Sequence, residues 1–399
     1  MAVRDIADIR HHRHVPEDDA LLTEFVDRLF VDLPRADQRN RSREYVTGLL
    51  VTPGKKSLRR MAAAVSESPH TSQALQQFLN VSPWGWQPVR RALCDWIEER
   101  QPTLTWSLGL AVIPKRGDHS AGVHRRFVPG ADRTVNCQLG IGLFLGSADA
   151  CIPVDWRLVL PGHWRTDEAR RSAARIPANE PSLAESACVV DLVRTRTTAG
   201  GRKDVPLAVD LTQVPGDLSL LPQLAALGTG FVAQIPATTM LRPPAGVGAP
   251  ATAGQLLHCA EALPGFGSGV VAGPVGRGHS RVRTCAVHLP QDNLLSLQRP
   301  CALITEYPAG GHGTPRFYVT DLTRHRPGEI LRIASAVDRA RETVRDMQAH
   351  YGLLDFEGRS YPGWHHHMTL VSAAYAYRRL TDRVPFTAMP ASVRGAHAA

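Results

Sequence analysis

The chain of 399 residues carries 46 lysine and arginine residues against 37 aspartate and glutamate residues, a formal net charge of +9. With 43% hydrophobic and 21% charged residues it has the composition of a folded globular protein, which excludes a disordered chain. The charge suits a polyanionic partner such as nucleic acid, and the favoured alternative explanation for the excess of arginine over lysine is the codon usage of a GC-rich genome. We expect no membrane span and no signal peptide, and the seven scattered cysteines indicate buried thiols in a reducing cytosol.

Residues 18–100 are predicted to be helical, because apolar residues from Leu21 to Phe30 recur at spacings of three and four. Two further short helices are predicted over 57–66 and 72–80, joined by a polar connector that contains Pro69. Such a pair could be a helix-turn-helix, which places its second helix in the DNA major groove. An ordinary helical hairpin is the commoner explanation of the same pattern.

From residue 104 onward, extended apolar runs alternate with helical patterns, which predicts the α/β class. The predicted strands lie over 104–114, 133–144, 155–160, 206–211 and 230–235. The predicted helices lie over 180–193, 218–227, 329–351 and 369–380. Residues 236–300 are rich in Gly, Pro and Ala and are interpreted as an irregular insertion with weak strands, before strand character resumes over 302–307 and 316–322.

Several separate blocks resemble those of bacterial insertion-sequence DDE transposases of the 701 type, which have a ribonuclease-H-like catalytic core. They keep the family's order and spacing from about residue 40 to residue 380, and this is far more specific than one short motif. The blocks are Ile113-Pro114-Lys115-Arg116-Gly117, His119-Ser120 with Gly122-Val123-His124-Arg125, Asn136-Cys137-Gln138-Leu139-Gly140, Asp155-Trp156-Arg157-Leu158 with Leu160-Pro161 and Trp164, and Gly352-Leu353 with Phe356-Glu357-Gly358-Arg359-Ser360 and Gly363-Trp364-His365-His366-His367.

The resemblance implies a ribonuclease-H-like mixed sheet flanked by helices, with an inserted β-rich segment and an N-terminal helical domain. We accordingly expect six regions along the chain. They are a flexible tail (1–17), a helical and candidate DNA-binding domain (18–102), the first part of the core (103–235), the inserted β-rich segment (236–324), the C-terminal part of the core (325–385) and a second flexible tail (386–399).

The resemblance also implies three carboxylates that hold two divalent metal ions for strand cleavage. At the matching positions this chain has Gly109 (with Leu110 as its neighbour), Asp210 and Arg341, so that two of the three ligands are lost. We therefore expect no metal cofactor, and Mg²⁺ only if the chain is an active transposase. A shift of one residue would make Glu342 the third ligand, but one residue turns a helical side chain by about 100° to another face.

An aspartate that faces an arginine forms a satisfied pair, whereas clustered carboxylates without metal repel each other. We therefore predict an ion pair between Asp210 and Arg341 where the metals would lie. The histidines of the run His365–His367 point apart and have no nearby Cys or Asp, which favours a packing role over a metal site.

Basic residues next to these positions are candidates for contact with DNA phosphates, with a solvated basic face as the alternative. The candidates are Arg59, Arg60, Lys115, Arg116, Arg125 and Arg126, with Arg90 and Arg91 as further members. The expected partners are double-stranded DNA and, as a homodimer, a second copy of the chain.

The leading hypothesis is a transposase-derived DNA-binding protein without catalytic activity, such as a domesticated transcriptional regulator, in the cytoplasm and associated with the nucleoid. One alternative is an active DDE transposase that cleaves and transfers DNA strands with metal ions. The other alternative is a partner-binding scaffold that does not contact DNA.

Overall fold

The computed structural model describes most of the chain. The residues it describes are 20–128, 132–148, 150–181, 184–198, 204–212, 220–244, 248–258, 263–272, 279–289, 300–307 and 314–381. Both predicted tails, the turn at 213–216 and Cys259 lie outside these ranges. Within them, none of the helices combines the length and the hydropathy that a membrane crossing requires.

Five helices open the described chain: α1 (Ala20–Leu29), α2 (Ala36–Val51), α3 (Leu58–Val65), α4 (Thr71–Asn80) and α5 (Trp86–Glu98). The spacing of apolar residues in α1 buries Leu22, Phe25, Val26 and Leu29 on one face. Ser57 caps α3, because its side chain accepts a hydrogen bond from the N–H of Arg60. The two short helices predicted from the sequence, α3 and α4, are both present.

A mixed sheet follows, built from β1 (Thr105–Pro114), β2 (His124–Val128), β3 (Arg133–Gly146), β4 (Cys151–Leu158), β5 (Leu207–Asp210) and β6 (Phe231–Ile235). Strand β3 runs antiparallel to β1, β2 and β4, whereas β1, β5 and β6 run parallel to one another. The connections contain α6 (Glu168–Ala173), α7 (Glu185–Thr198) and α8 (Leu220–Ala226). This mixed sheet flanked by helices confirms the predicted fold class and is consistent with a ribonuclease-H-like fold.

The β-rich segment continues the same sheet. Strands β9 (Gly267–Ala272), β10 (His279–Val287), β11 (Cys301–Tyr307) and β12 (Arg316–Thr320) are added beyond β6, in the order β6-β12-β11-β10-β9. A small separate ladder joins β7 (Met240–Leu241) to β8 (Ala251–Thr252), next to α9 (Ala253–His258). The segment therefore lengthens one sheet, and every neighbouring pair from β6 to β9 is antiparallel.

Two long helices complete the described chain, α10 (Pro327–His350) and α11 (Tyr361–Thr381). Helix α10 begins at a proline, and the side chain of Glu329 accepts a hydrogen bond from the N–H of Arg326. It packs against β1 and β5, whereas α11 packs against β4 and the N-terminal helices. The N-terminal helices and the sheet share one continuous hydrophobic core, and the six-region division of the chain stays a prediction.

The sequence blocks that carry the family resemblance meet in space. The N–H of Ala121 donates to the carbonyl of Arg359, and the indole N–H of Trp164 donates to the carbonyl of Val123, each at 2.9 Å. The side-chain amide of Gln138 donates to the carbonyl of Ala121 at 2.7 Å. These bonds join four blocks that are far apart in the chain, so that the blocks contribute to one packed region of the fold.

Candidate functional site

A cleft of about 190 Å³ lies beside the middle of β1 and the end of β5. Its lining includes all three residues at the ligand positions that the family resemblance implies. These are Gly109 on β1, Asp210 at the end of β5 and Arg341 on α10. The rest of the lining is Arg126 and a set of apolar residues. These are Leu108, Leu110, Val112, Val128, Ile141, Val189, Val209, Leu220 and Val337. The fold thus brings together residues that are up to 232 positions apart in the chain (341 − 109 = 232).

Gly109 and Asp210 lie at equivalent positions on neighbouring parallel strands. Ser107 of β1 pairs with Ala208 of β5, so two residues further along each strand Gly109 and Asp210 face the same side of the sheet. A side chain at residue 109 would therefore point toward α10, as Asp210 does. This geometry fits a pair of ligands on adjacent strands, and Gly109 provides no side-chain oxygen for such a pair.

The space beside Gly109 is filled by an aromatic ring. A Cβ atom placed on Gly109 would lie 2.7 Å from Cε2 of Phe144 and 3.4 Å from a methyl group of Val344. Gly109 pairs across the strands with Gly142, and this glycine pair makes room for the rings of Phe144 and Trp156. A carboxylate side chain at residue 109 would therefore require the Phe144 ring to move.

Asp210 is buried, with both carboxylate oxygens engaged. Oδ1 accepts hydrogen bonds from the backbone N–H of Thr212 at 2.8 Å and from its hydroxyl at 2.6 Å. Oδ2 accepts a hydrogen bond from the guanidinium of Arg341, so the ion pair predicted from the sequence is present. A metal ion would have to displace this guanidinium to reach Oδ2.

Arg341 also binds a second carboxylate, which the sequence reasoning missed. Its Nη1 donates to Oδ1 of Asp338 at 2.9 Å, and the other oxygen of Asp338 pairs with Arg316 at 2.8 Å. Burial and the neighbouring Arg345 lower the pKa of Arg341, but arginine starts so high that it stays charged at neutral pH. Asp338 precedes Arg341 by three residues on one helix, and this spacing is the signal that could have identified it.

Glu342 lies on another face of α10. Its side chain is exposed and does not line the cleft, as expected from a turn of about 100° per residue. The arrangement thus gives no support to Glu342 as a replacement ligand.

A pair of divalent metal ions does not fit the residues present. Magnesium needs several oxygen ligands in a nearly octahedral arrangement, and carboxylates are its usual protein ligands. Here the first position has no oxygen and faces an aromatic ring, and the third carries a positive charge that already binds Asp210. No catalytic step through a metal can be derived from this site.

The candidate DNA-binding residues differ in what their side chains contact. Arg116 and Arg125 are exposed, and Arg59 is exposed on α3. Arg60 is exposed too, although its guanidinium donates to the carbonyl of Pro53 at 2.8 Å. Arg126 faces the cleft and pairs with Glu185.

Lys115 is turned toward the protein. Its ammonium group donates to the carbonyl of Phe356 and lies 5.1 Å from the centre of the Phe356 ring. Burial lowers the pKa of Lys115 to about 8. Its observed contacts hold the Gly352–Ser360 block in place.

Arg90 was expected on the phosphate-binding surface, and this expectation is wrong. The side chain is buried and pairs with Asp155 at 2.7 Å, and it also donates to the hydroxyl of Thr369 at 2.8 Å. A buried arginine needs such partners, because an unpaired charge inside a protein is strongly unfavourable. Arg90 therefore fastens α5 to β4 and α11, while its neighbour Arg91 is exposed.

The histidine run is a packing motif, as predicted. His367 accepts at Nδ1 from the hydroxyl of Tyr45 and donates from Nε2 to the carbonyl of Gly352, both at 3.0 Å. His366 contacts the carbonyls of α4 and of the α4–α5 connection, and His365 stacks on Trp86. Burial lowers the pKa of His367 to about 4.

Among the described residues, the one group that could hold a metal lies elsewhere, at Cys94, Asp95 and Glu98 on α5. The sulfur of Cys94 is buried and accepts a hydrogen bond from Arg196 at 2.7 Å. Burial raises the pKa of the Cys94 thiol to about 12, which disfavours the thiolate form that a metal ion requires.

Comparison with known proteins gives one family. A family model described as a DDE superfamily endonuclease matches residues 28–256, more than half of the chain. A comparison with curated proteins gives no match. The matched range includes Gly109 and Asp210 and ends before Arg341.

Proposed function

Because the chain belongs to the DDE superfamily of endonucleases, we propose that it binds double-stranded DNA and does not cut it. One observation carries this proposal. Arg341 lines the cleft in which a member of this family is expected to hold its metal ions, and its guanidinium binds Asp210 and Asp338. The family membership supports contact with DNA, and the cation in the cleft argues against cleavage.

The cation in the cleft differs in its chemistry from the metal ions that strand cleavage uses. In two-metal cleavage, one ion activates the attacking oxygen and the other stabilises the leaving oxygen. The cleft instead balances its carboxylates with a covalently attached cation, which cannot bind and polarise a water molecule as a metal does. Arg341 would also repel an incoming divalent ion. Both effects act against strand cleavage.

Contact with DNA is supported by exposed arginines around the described fold. Arg59, Arg116 and Arg125 present guanidinium groups at the surface, where they can neutralise phosphates. A protein that binds DNA without cutting it can regulate transcription, and this is the role that we propose. Association with the nucleoid and a homodimer are parts of the same proposal.

The proposal is tested with purified protein and end-labelled duplexes taken from the DNA that flanks its gene. We expect a gel shift that weakens steeply with salt, and no nicks after incubation with Mg²⁺ or Mn²⁺. Metal-dependent nicks that disappear in Asp210→Ala would refute the inactive centre. Absence of any shift with flanking or genomic duplexes would refute DNA binding and favour a partner-binding scaffold.

An active transposase is the second candidate, and Asp338 is the observation that favours it. If Arg341 swung out of the cleft, Asp210 and Asp338 would be left as two carboxylates on adjoining elements. In that case Asp338→Asn should abolish cleavage, whereas Glu342→Gln should leave it unchanged. Terminal inverted repeats around the coding region are also expected for this candidate.

A further inference from the structure

We infer that helix α4 reads DNA bases with three glutamines and prefers A·T base pairs. This inference rests on the proposed DNA binding and assigns its sequence preference to Gln73, Gln76 and Gln77. The three residues have spacings of three and four, which place them on one face of the helix.

The two faces of α4 differ in character. Thr71, Leu75, Phe78 and Leu79 are buried, whereas the three glutamines are exposed. In the described part of the chain, no protein group hydrogen-bonds their side-chain amides. The outer face of α4 is thus uncharged and carries three amides that can both donate and accept hydrogen bonds.

Helix α4 is held firmly at its C-terminal end. Nδ1 of His366 lies 2.8 Å from the carbonyl of Leu79, and Nε2 lies 2.8 Å from the carbonyl of Trp84. The Trp84 ring also stacks on Phe78, with their centroids 5.4 Å apart. These contacts fix α4 against α11, and Gln73 is exposed in the first turn of the helix, next to the buried Thr71. Base contacts in helix-turn-helix proteins come mainly from the N-terminal part of the second helix.

The preceding helix supplies the charge that such an interface needs. Helix α3 packs against α4, and Arg59 and Arg60 at its N-terminal end are exposed. In helix-turn-helix proteins the first helix crosses the DNA backbone, where arginines contact phosphates, and the second enters the major groove. The pair of helices thus carries exposed cations on α3 and an uncharged hydrogen-bonding face on α4.

The chemistry of glutamine indicates which base is recognised. A glutamine amide can donate to N7 and accept from N6 of adenine in the major groove, a pattern that guanine does not offer. Arginine is the usual partner of guanine, and the exposed face of α4 carries no arginine. We therefore expect selected sites to contain adenines on either strand where α4 lies in the groove.

The test is selection of bound duplexes from a pool with a randomised centre, using the full chain. The wild type should enrich a short A·T-containing motif. Alanine at each glutamine should relax the preference at one position, with a loss of discrimination of about tenfold for a bidentate contact. Gln255→Ala removes an exposed glutamine on α9, whose side chain accepts hydrogen bonds from Thr252, and this control should select the wild-type motif.

Two further results separate this inference from the proposed function. Arg59→Ala with Arg60→Ala should weaken binding to all sequences equally and reduce its salt dependence. Gln76→Arg should shift the preference at one position toward guanine. If the triple glutamine variant binds DNA and selects the wild-type motif, the inference is wrong while DNA binding stands. If the wild type enriches no duplex and shifts none, both are wrong.

Discussion

Replacement of Arg341 by methionine tests the ion pair in the cleft. The change keeps much of the aliphatic side chain and removes the guanidinium that binds Asp210 and Asp338. Asp210 would keep its bonds to Thr212 through Oδ1, but Oδ2 would lose its partner in a buried site. A carboxylate left without its counterion in the interior is unfavourable, so the folded state should be destabilised.

The expected loss in the free energy of unfolding follows from how exposed the side chains of Arg341 and Asp210 are. Breaking a fully buried ion pair costs about 3–5 kcal/mol. The side chain of Arg341 is 31% exposed and that of Asp210 is 7% exposed. Water that reaches the arginine side screens part of the interaction, so we expect a loss of about 2 kcal/mol.

The assay is chemical denaturation at neutral pH, with Arg345→Met as the matched control. Arg345 lies one turn later on α10 and is exposed, so its replacement should change the free energy of unfolding by less than about 0.5 kcal/mol. Equal stabilities of Arg341→Met and Arg345→Met would refute the stabilising role of the ion pair.

Three more outcomes are expected. Gly109→Ala should lower the free energy of unfolding by about 1–3 kcal/mol, because the new methyl group would meet the Phe144 ring. Gly269→Ala places its methyl group in open space and should leave the stability unchanged, so equal denaturation midpoints of the two variants would contradict this prediction. Because the pKa of His367 in the folded state is about 4, only the unfolded chain takes up a proton at this residue as the pH falls from about 6.5 to 4, and the free energy of unfolding should fall by about 3 kcal/mol. A His367→Gln variant with the pH dependence of the wild type would contradict this lowered pKa. Arg116→Ala with Arg125→Ala should flatten the salt dependence of DNA binding, and an unchanged slope in filter binding would exclude these residues as phosphate contacts.

Much of the fold could be predicted because most elements have a clear period. Strands β1 and β3 read as extended apolar runs, and α10 begins within two residues of the predicted start. The sequence predicts a helix from residue 369, whereas α11 begins at Tyr361. The sequence does not indicate the first turns, because a helix that is buried on nearly all sides lacks the alternation of polar and apolar faces. Strand β9 was missed, since its glycines weaken the strand pattern and its pairing with β10 comes from the tertiary fold.

Some features of the candidate site could likewise be predicted from the sequence, and others could not. The pairing of Asp210 with Arg341 could be predicted because the family resemblance implies that both residues stand at metal-ligand positions, where an aspartate and an arginine attract each other. The closing of the Gly109 position by Phe144 could not, since it depends on side-chain packing across two strands. The inward direction of Lys115 and the burial of Arg90 could not be predicted either. The sequence does not show whether a basic side chain faces solvent or a buried polar partner.

In the proposed function, the guanidinium of Arg341 takes the place of the metal ions in the cleft. The most direct measurement is the anomalous scattering of crystals of the protein soaked in MnCl2. We predict a guanidinium of Arg341 in contact with Asp210 and no manganese peak beside that carboxylate. A manganese ion within about 2.5 Å of an Asp210 oxygen, with Arg341 displaced, would show that the cleft binds metal and would refute the proposed inactive centre.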